Sequence, residues 1–204
     1  MKIISQKDLS DKSFQFITQT LRTGGLVVMP TDTIYGIHAS VNLKSAIEKI
    51  YSLRKRDLSK PLIILIAEIN QIKKFGIKIN HQTKNFLNKI WPNPATIIFP
   101  CQNQKYLYLH RDQNSLAFRN PKNKFLLDLI KEVGPVVSTS VNLAGQKPAE
   151  TIKEALNYFG NQIDIYIDAG KISSTPSTII EFKDRNFKVI REGVINIQKL
   201  IQEQ

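Results

Sequence analysis

Leu26-Val27-Val28-Met29-Pro30-Thr31-Asp32-Thr33-Ile34-Tyr35-Gly36 is the stretch that decides the fold. Its apolar start, Leu26 to Met29, reads as a buried strand. Hydroxyls, an acid, a tyrosine and a glycine follow at the strand end, where open α/β sheets place their ligands. If the chain stays extended, Thr33 and Tyr35 share a face. Gly36 permits close backbone approach. Taken alone, the commoner meaning of the segment is a capped turn, with Thr31 and Asp32 bonded to local backbone.

Working outward, helices and strands interleave. Ser10 can cap a helix with Phe14, Ile17 and Leu21 on its apolar face, stopped by Gly24-Gly25. Asn42 can cap a second, with Ala46, Ile47, Ile50 and Leu53 inward. Leu62 to Ile66 reads as a buried strand, and Ile79 to Ile90 as a helix ended by Trp91-Pro92-Asn93-Pro94. Thr96 to Phe99 and Leu116 to Arg119 are strands, Lys122 to Glu132 a helix broken by Gly134-Pro135, and Val136-Val137 a strand. Thr151 caps a helix through Tyr158. Strands are expected at Ile163 to Ile167, Ser177 to Phe182 and Phe187 to Ile190, and a last helix at Ile195 to Ile201. The alternation is not strict and the loops are short. The expectation is one α/β domain over residues 1–204, on a twisted, open mixed sheet with flanking helices.

Composition narrows the function. The chain has 204 residues, 42% hydrophobic, with 29 Lys and Arg against 17 acids and a net charge of +12. That balance favours anionic partners, although a solvated lysine-rich surface explains it equally well. Cys101 is the only cysteine, so an internal disulfide and a cysteine-based zinc cluster are excluded. The N-terminus turns polar at once, and the longest apolar run, Leu62 to Ala67, is too short to span a bilayer. A cytoplasmic protein with no membrane partner is the expectation.

Three separated segments carry candidate chemistry. Arg54, Arg56 and Lys60 place cations within a few residues, suited to phosphate, though a solvated helix end is the commoner meaning. Arg119, at a strand end before Pro121, can clamp a carboxylate or phosphate. Ser138, Ser140 and Asn142 recur with period two and would face one side. Pro176-Ser177-Thr178 and Arg191-Glu192-Gly193 flank further strands. There is no Walker loop, GxGxxG or GxSxG, and His38, His81 and His110 lack metal-ligand spacing. The inventory of arginines, hydroxyls and amides suits catalysis by positioning and charge neutralisation, as in nucleotidyl transfer.

Taken together, these segments resemble the YrdC/TsaC family of threonylcarbamoyl-adenylate synthases, in its short, single-domain form. The likeness rests on seven motifs in order: Pro30 to Gly36, Arg56 to Leu62, Trp91-Pro92 with Pro94 and Thr96, Arg119 with Pro121, Ser140 to Gly145, Pro176 to Thr178, and Arg191 with Gly193. The resemblance implies a sheet with a concave basic face. It implies use of L-threonine, bicarbonate and ATP, with Mg²⁺ accompanying the ATP, to form threonylcarbamoyl-AMP and pyrophosphate for tRNA modification by downstream transfer proteins. By motif, Thr33, Arg119, Ser138 and Ser177 would hold threonine, and Arg56, Lys60, Ser140, Asn142 and Arg191 would hold ATP. Tyr35, Arg54 and Ser115 are further candidates, and no residue-bound metal or covalent intermediate is implied; Arg56 would be the chief charge stabiliser. Departures from the family pattern are Arg54 for its usual lysine, Val141 and Ala144 in the serine motif, Asn93 for glycine, Asn123 for histidine, and His38 for a small residue. Two other readings are a non-catalytic module binding tRNA or double-stranded RNA, and a paralogue acting on another carbamoyl or acyl ligand.

Overall fold

The computed structural model describes residues 1–183 and 186–202. Its frame is a ten-stranded mixed sheet. In chain order the strands are β1 (Lys2–Ser5), β2 (Val27–Pro30), β3 (Tyr35–Ser40), β4 (Ile63–Leu65), β5 (Ala95–Pro100), β6 (Ser115–Arg119), β7 (Val136–Ser140), β8 (Ile165–Asp168), β9 (Thr178–Lys183) and β10 (Asn186–Arg191). Across the sheet they run β1-β8-β2-β3-β7-β4-β6-β5-β9-β10. The helices are α1 (Asp11–Arg22), α2 (Lys44–Arg54), α3 (His81–Ile90), the short α4 (Leu107–His110), α5 (Lys124–Val133), α6 (Ile152–Phe159) and α7 (Ile197–Gln202).

Most helix starts follow from their caps. Ser10 and Ser13 close a reciprocal capping box on α1, and Asn123 and Thr151 accept from Leu126 N and Glu154 N to open α5 and α6. Asn42 does not cap α2. Leu43 occupies the cap position without a side-chain bond, and Asn42 N instead donates to Ser40 Oγ at 3.3 Å. Helix α2 ends because Lys55 turns left-handed, φ 50°.

Period-two alternation sorts the strands between two apolar layers. Val27, Met29, Leu65, Val136, Ile165 and Ile167 join Ile17 and Leu21 of α1 and Leu126, Leu129 and Ile130 of α5. Phe14 and Phe125 meet edge-to-face at 5.9 Å between these two helices. Val28, Ile37, Ile64, Val137 and Tyr166 point the other way, into the larger core with α2, α3 and α6. Full burial of each such side chain contributes roughly 1.5–3 kcal/mol.

Helices α1 and α5 cover only part of their face. Beyond them, registers across β3, β7, β4 and β6 pair His38 with Ser138, Ser138 with Ile63, and Leu65 with Arg119. Register partners share a face, so Ser138, Ser140 and Arg119 emerge together on the uncovered region.

Two strands depart from the sequence expectation. Lys2–Ser5 forms the edge strand β1, parallel to β8. Tyr35–Ser40 forms β3, antiparallel to β2 with Pro30 opposite Tyr35. The motif after β2 is thus a hairpin turn, and the chain bends at Thr33 instead of staying extended. Thr33 and Tyr35 therefore do not share a face: the Tyr35 ring enters the larger core.

Candidate functional site

The hairpin turn is tied by its own hydroxyls. Thr31 Oγ1 donates to Ile34 O at 2.8 Å and lies 3.0 Å from Thr33 Oγ1. Asp32 does not bond local backbone as a simple turn would require. One carboxylate oxygen pairs with the Arg119 guanidinium, and the other accepts from Lys122 N at 3.0 Å. Arg119 Nη2 also donates to Thr33 Oγ1 at 3.1 Å. Both members of the Asp32–Arg119 pair are about 6% exposed. Burial pulls the Arg119 guanidinium below its ordinary range, while the Asp32 carboxylate opposes that shift.

Over this turn opens a cavity of about 610 Å³, counting its mouth. That is a size suited to small polar ligands. Arg56, Arg119 and Arg191 all line it, with Ser138 and Ser140 of β7 and Ser177 before β9. Arg191 Nη2 donates to Ser177 O at 2.7 Å. Its guanidinium is pulled down first by burial and then by the like charge of Arg119. Arg56 spends Nε and Nη2 on the carbonyls of Lys60 and Pro61, at 3.1 and 3.2 Å, which folds its loop against the cavity edge. Burial lowers this arginine also. Guanidiniums gathered in a part-buried hollow repel one another, and an anionic ligand relieves that repulsion.

Two motifs are explained by one contact. A Cβ on Gly193 would fall 2.3 Å from Thr178 N and 2.4 Å from Pro176 O. Val194 N donates to Pro176 O at 3.0 Å and Thr178 Oγ1 to Ile195 O at 2.6 Å. Glycine is thus required for the chain after β10 to press against the segment carrying Ser177. On the far side Thr178 N donates to Pro94 O at 3.1 Å, and Ser177 Oγ meets Thr96 Oγ1 at 2.8 Å.

Thr33, Arg119, Ser138 and Ser177 all reach the cavity, as do Arg56, Ser140 and Arg191. Tyr35 borders it, but its hydroxyl donates to Gly170 O at 2.7 Å and accepts from Ala169 N, locking the β8 exit loop. Four other candidates stand elsewhere. Strand β7 ends at Ser140, so the period-two pattern stops before Asn142. Asn142 Oδ1 accepts from Arg54 at 2.9 Å, and its amide donates to Leu143 O and Gln146 O at 2.8 Å. Arg54 is likewise buried: it also bonds Thr139, Ser140 and the Asn142 carbonyl, and burial lowers its pKa to about 10. It braces β7 from beneath instead of facing a ligand. Lys60 extends into solvent beside Asp57, at 3.7 Å. Ser115 begins β6, opposite Pro100, at the far end of the strand from Arg119.

From the sequence Asp32 reads as a local turn residue, and His38 as a histidine without metal-ligand spacing. No local pattern marks Asp32, because its partner lies 87 positions away. Cys101 packs in the core, with Sγ 3.7 Å from Phe75 O. Among the described residues no group of three or more His, Cys, Asp or Glu is placed to hold a metal, and no helix is long and apolar enough to cross a membrane.

The Sua5/YciO/YrdC family, described as telomere recombination, matches residues 19–193. The chain belongs to this family. A Methanocaldococcus jannaschii relative named "Putative threonylcarbamoyl-AMP synthase" is 33% identical, over 98% of this chain and 96% of its own length. A Nitrosococcus oceani relative named threonylcarbamoyl-AMP synthase is 30% identical, covering 71% of this chain and 78% of its own. The fold agrees with solved Sua5/YciO structures. E. coli YciO superimposes with a TM-score of 0.84 at 21% identity, over 98% of each chain. P. abyssi Sua5 complexed with L-threonine gives 0.88 at 24% identity, over 100% of this chain. This chain spans 61% of that Sua5 chain.

Proposed function

We propose that the protein is an L-threonylcarbamoyladenylate synthase. The observation that carries the reading is the convergence of Arg56, Arg119 and Arg191 with Ser138, Ser140 and Ser177 on one cavity. The names of its relatives and the threonine complex of P. abyssi Sua5 support the choice of substrates.

Threonine would sit on the Arg119 side, its carboxylate against a guanidinium already aimed by Asp32 and Thr33. The triphosphate, as its Mg²⁺ complex, would lie toward Arg56 and Arg191. The threonine amine and bicarbonate give a carbamate and water. A carbamate oxygen then attacks the α-phosphorus, and the bond to the β-phosphate bridging oxygen breaks with loss of pyrophosphate. The arginines neutralise charge at the phosphates as it shifts to the leaving group. Three cations, hydroxyl donors and a concave wall are enough for such a reaction, since its demands are alignment and exclusion of water from a labile carbamate. The product would serve tRNA modification through separate transfer proteins.

Pyrophosphate release tests the reading. It is expected to require ATP, L-threonine and bicarbonate together. Tight RNA binding without pyrophosphate from any amino acid would favour the binding-module reading, and better turnover with another amino or carbamoyl donor would favour a paralogue.

A further inference from the structure

Beside the cavity, on the same sheet face as Ser138, lies His38, fully buried on β3. Its Nδ1 stands 3.3 Å from Val27 O and its Nε2 3.2 Å from Ser138 Oγ. Gly36 leaves the room for this pair. A Cβ there would fall 2.8 Å from His38 Cε1 and 2.9 Å from Ser138 Oγ.

We infer that His38 is a positioning residue that accepts a hydrogen bond from the Ser138 hydroxyl and so presents Ser138 to the cavity as a hydrogen-bond acceptor for the amino group of the substrate. The inference rests on the threonine reading above. Its logic is proton counting. A carbonyl can only accept, so the 3.3 Å contact with Val27 O is a hydrogen bond only when the ring proton is on Nδ1. The opposite tautomer would set the Nδ1 lone pair against the carbonyl lone pairs. The ring is neutral: burial pulls it to about 4, helped by the Arg119 charge and opposed by the Val27 and Gly36 backbone groups. Neutral and protonated on Nδ1, the ring offers only a lone pair at Nε2. Ser138 must donate to it, which turns the serine's own lone pairs toward the ligand.

The next serine along the strand is set the other way. Ser140 Oγ accepts from Arg54 Nη2 at 3.2 Å. A guanidinium has no acceptor to offer in return, so the Ser140 proton is left for a ligand oxygen. Two chemically identical side chains, two positions apart and both on the cavity wall, thus present opposite polarity. An acceptor at Ser138 suits the nitrogen end of an amino acid, and a donor at Ser140 suits a phosphate or carboxylate oxygen. A cavity lined by arginines has donors in excess. A serine fixed as acceptor supplies what an amine needs there.

The test combines calorimetric titration of L-threonine with imidazole ¹⁵N shifts of the unliganded protein. Ser138→Ala and His38→Leu are each expected to weaken threonine about 10-fold, the factor for one hydrogen bond to a charged group. The double variant is expected to lose about 10-fold, not 100-fold, because both changes remove one interaction. His38→Gln, whose side-chain oxygen can accept in place of Nε2, should stay within about 3-fold of wild type. ATP affinity should be unchanged throughout. The ¹⁵N shifts should report the Nδ1–H tautomer, a readout that stands even if His38→Leu fails to fold. Additive losses, a His38→Gln variant as weak as His38→Leu, or an Nε2–H tautomer would each overturn the assignment. Failure of wild type to bind threonine at all would instead sink the reading on which it rests.

Discussion

Removing Asp32 should expose how the site is held together. Arg119 and Asp32 are buried to the same degree, each about 6% exposed, with the pair joining the hairpin turn to the end of β6. In Asp32→Ala the guanidinium keeps its charge and loses its counter-ion inside the protein. Breaking one partner of a buried pair costs about 3–5 kcal/mol, far more than the pair itself need contribute. The second carboxylate bond, from Lys122 N, lies at the exposed surface and adds little. For a chain of 204 residues, each kcal/mol corresponds to roughly 2–4 °C in Tm, so a fall of about 6–20 °C is expected. Urea unfolding followed by the fluorescence of Trp91, the only tryptophan, gives the free energy directly. Asp32→Ala/Arg119→Met, which removes both charges, should be more stable than Asp32→Ala alone. A loss below about 1 kcal/mol for Asp32→Ala, or a double variant that simply adds two penalties, would refute the buried pair.

Other expectations follow from the same contacts. His38 is held near 4 in the folded protein against 6.5 when unfolded, so the unfolded chain binds the extra proton between those values. Its contribution is intact above pH 6.5 and is lost as pH falls toward 4, about 3 kcal/mol in all. Wild type should therefore lose more urea resistance than His38→Gln between pH 6.5 and 4.5; parallel losses would contradict a buried neutral imidazole. Gly193→Ala should displace the Pro176–Thr178 segment and abolish pyrophosphate release while leaving far-UV circular dichroism native; unchanged turnover would show that segment to be slack. Arg56→Ala should raise the ATP KM and Arg119→Ala the threonine KM, each by about 10-fold or more, as loss of a charge-assisted bond implies. Identical effects of both changes on both substrates would undo the division of the cavity.

Much of this molecule was legible because its local rules agree. Helices α1 and α6 announce themselves through the caps Ser10 and Thr151, and α5 through its apolar residues and the Gly134-Pro135 break. Strand β3 was not legible. All six of its residues are buried, including His38 and Ser40, so polar and apolar residues do not alternate along it. β1 escaped because a four-residue edge strand beginning with lysine carries too little pattern. For the site, the motifs single out Arg56, Arg119 and Arg191, which the structure brings to one cavity, but do not separate them from Arg54. What separates them is depth. Arg54 sits inside the last turn of α2 and finds its acceptors on β7 and at Asn142 just beyond it, whereas Arg56, past the left-handed Lys55, turns to the cavity. Asn142 lies off the cavity wall for a related reason: the period of a strand holds only until the strand ends, and β7 ends at Ser140.

One cationic, serine-lined hollow is proposed to hold an amino acid beside a triphosphate. A crystal structure of the protein soaked with L-threonine and a non-hydrolysable ATP analogue tests it most directly. Threonine density is expected against Arg119 and Ser138, with phosphates reaching Arg56 and Arg191. Ligands bound instead on the outer lysine-rich surface, with this cavity unchanged at saturating concentration, would contradict it.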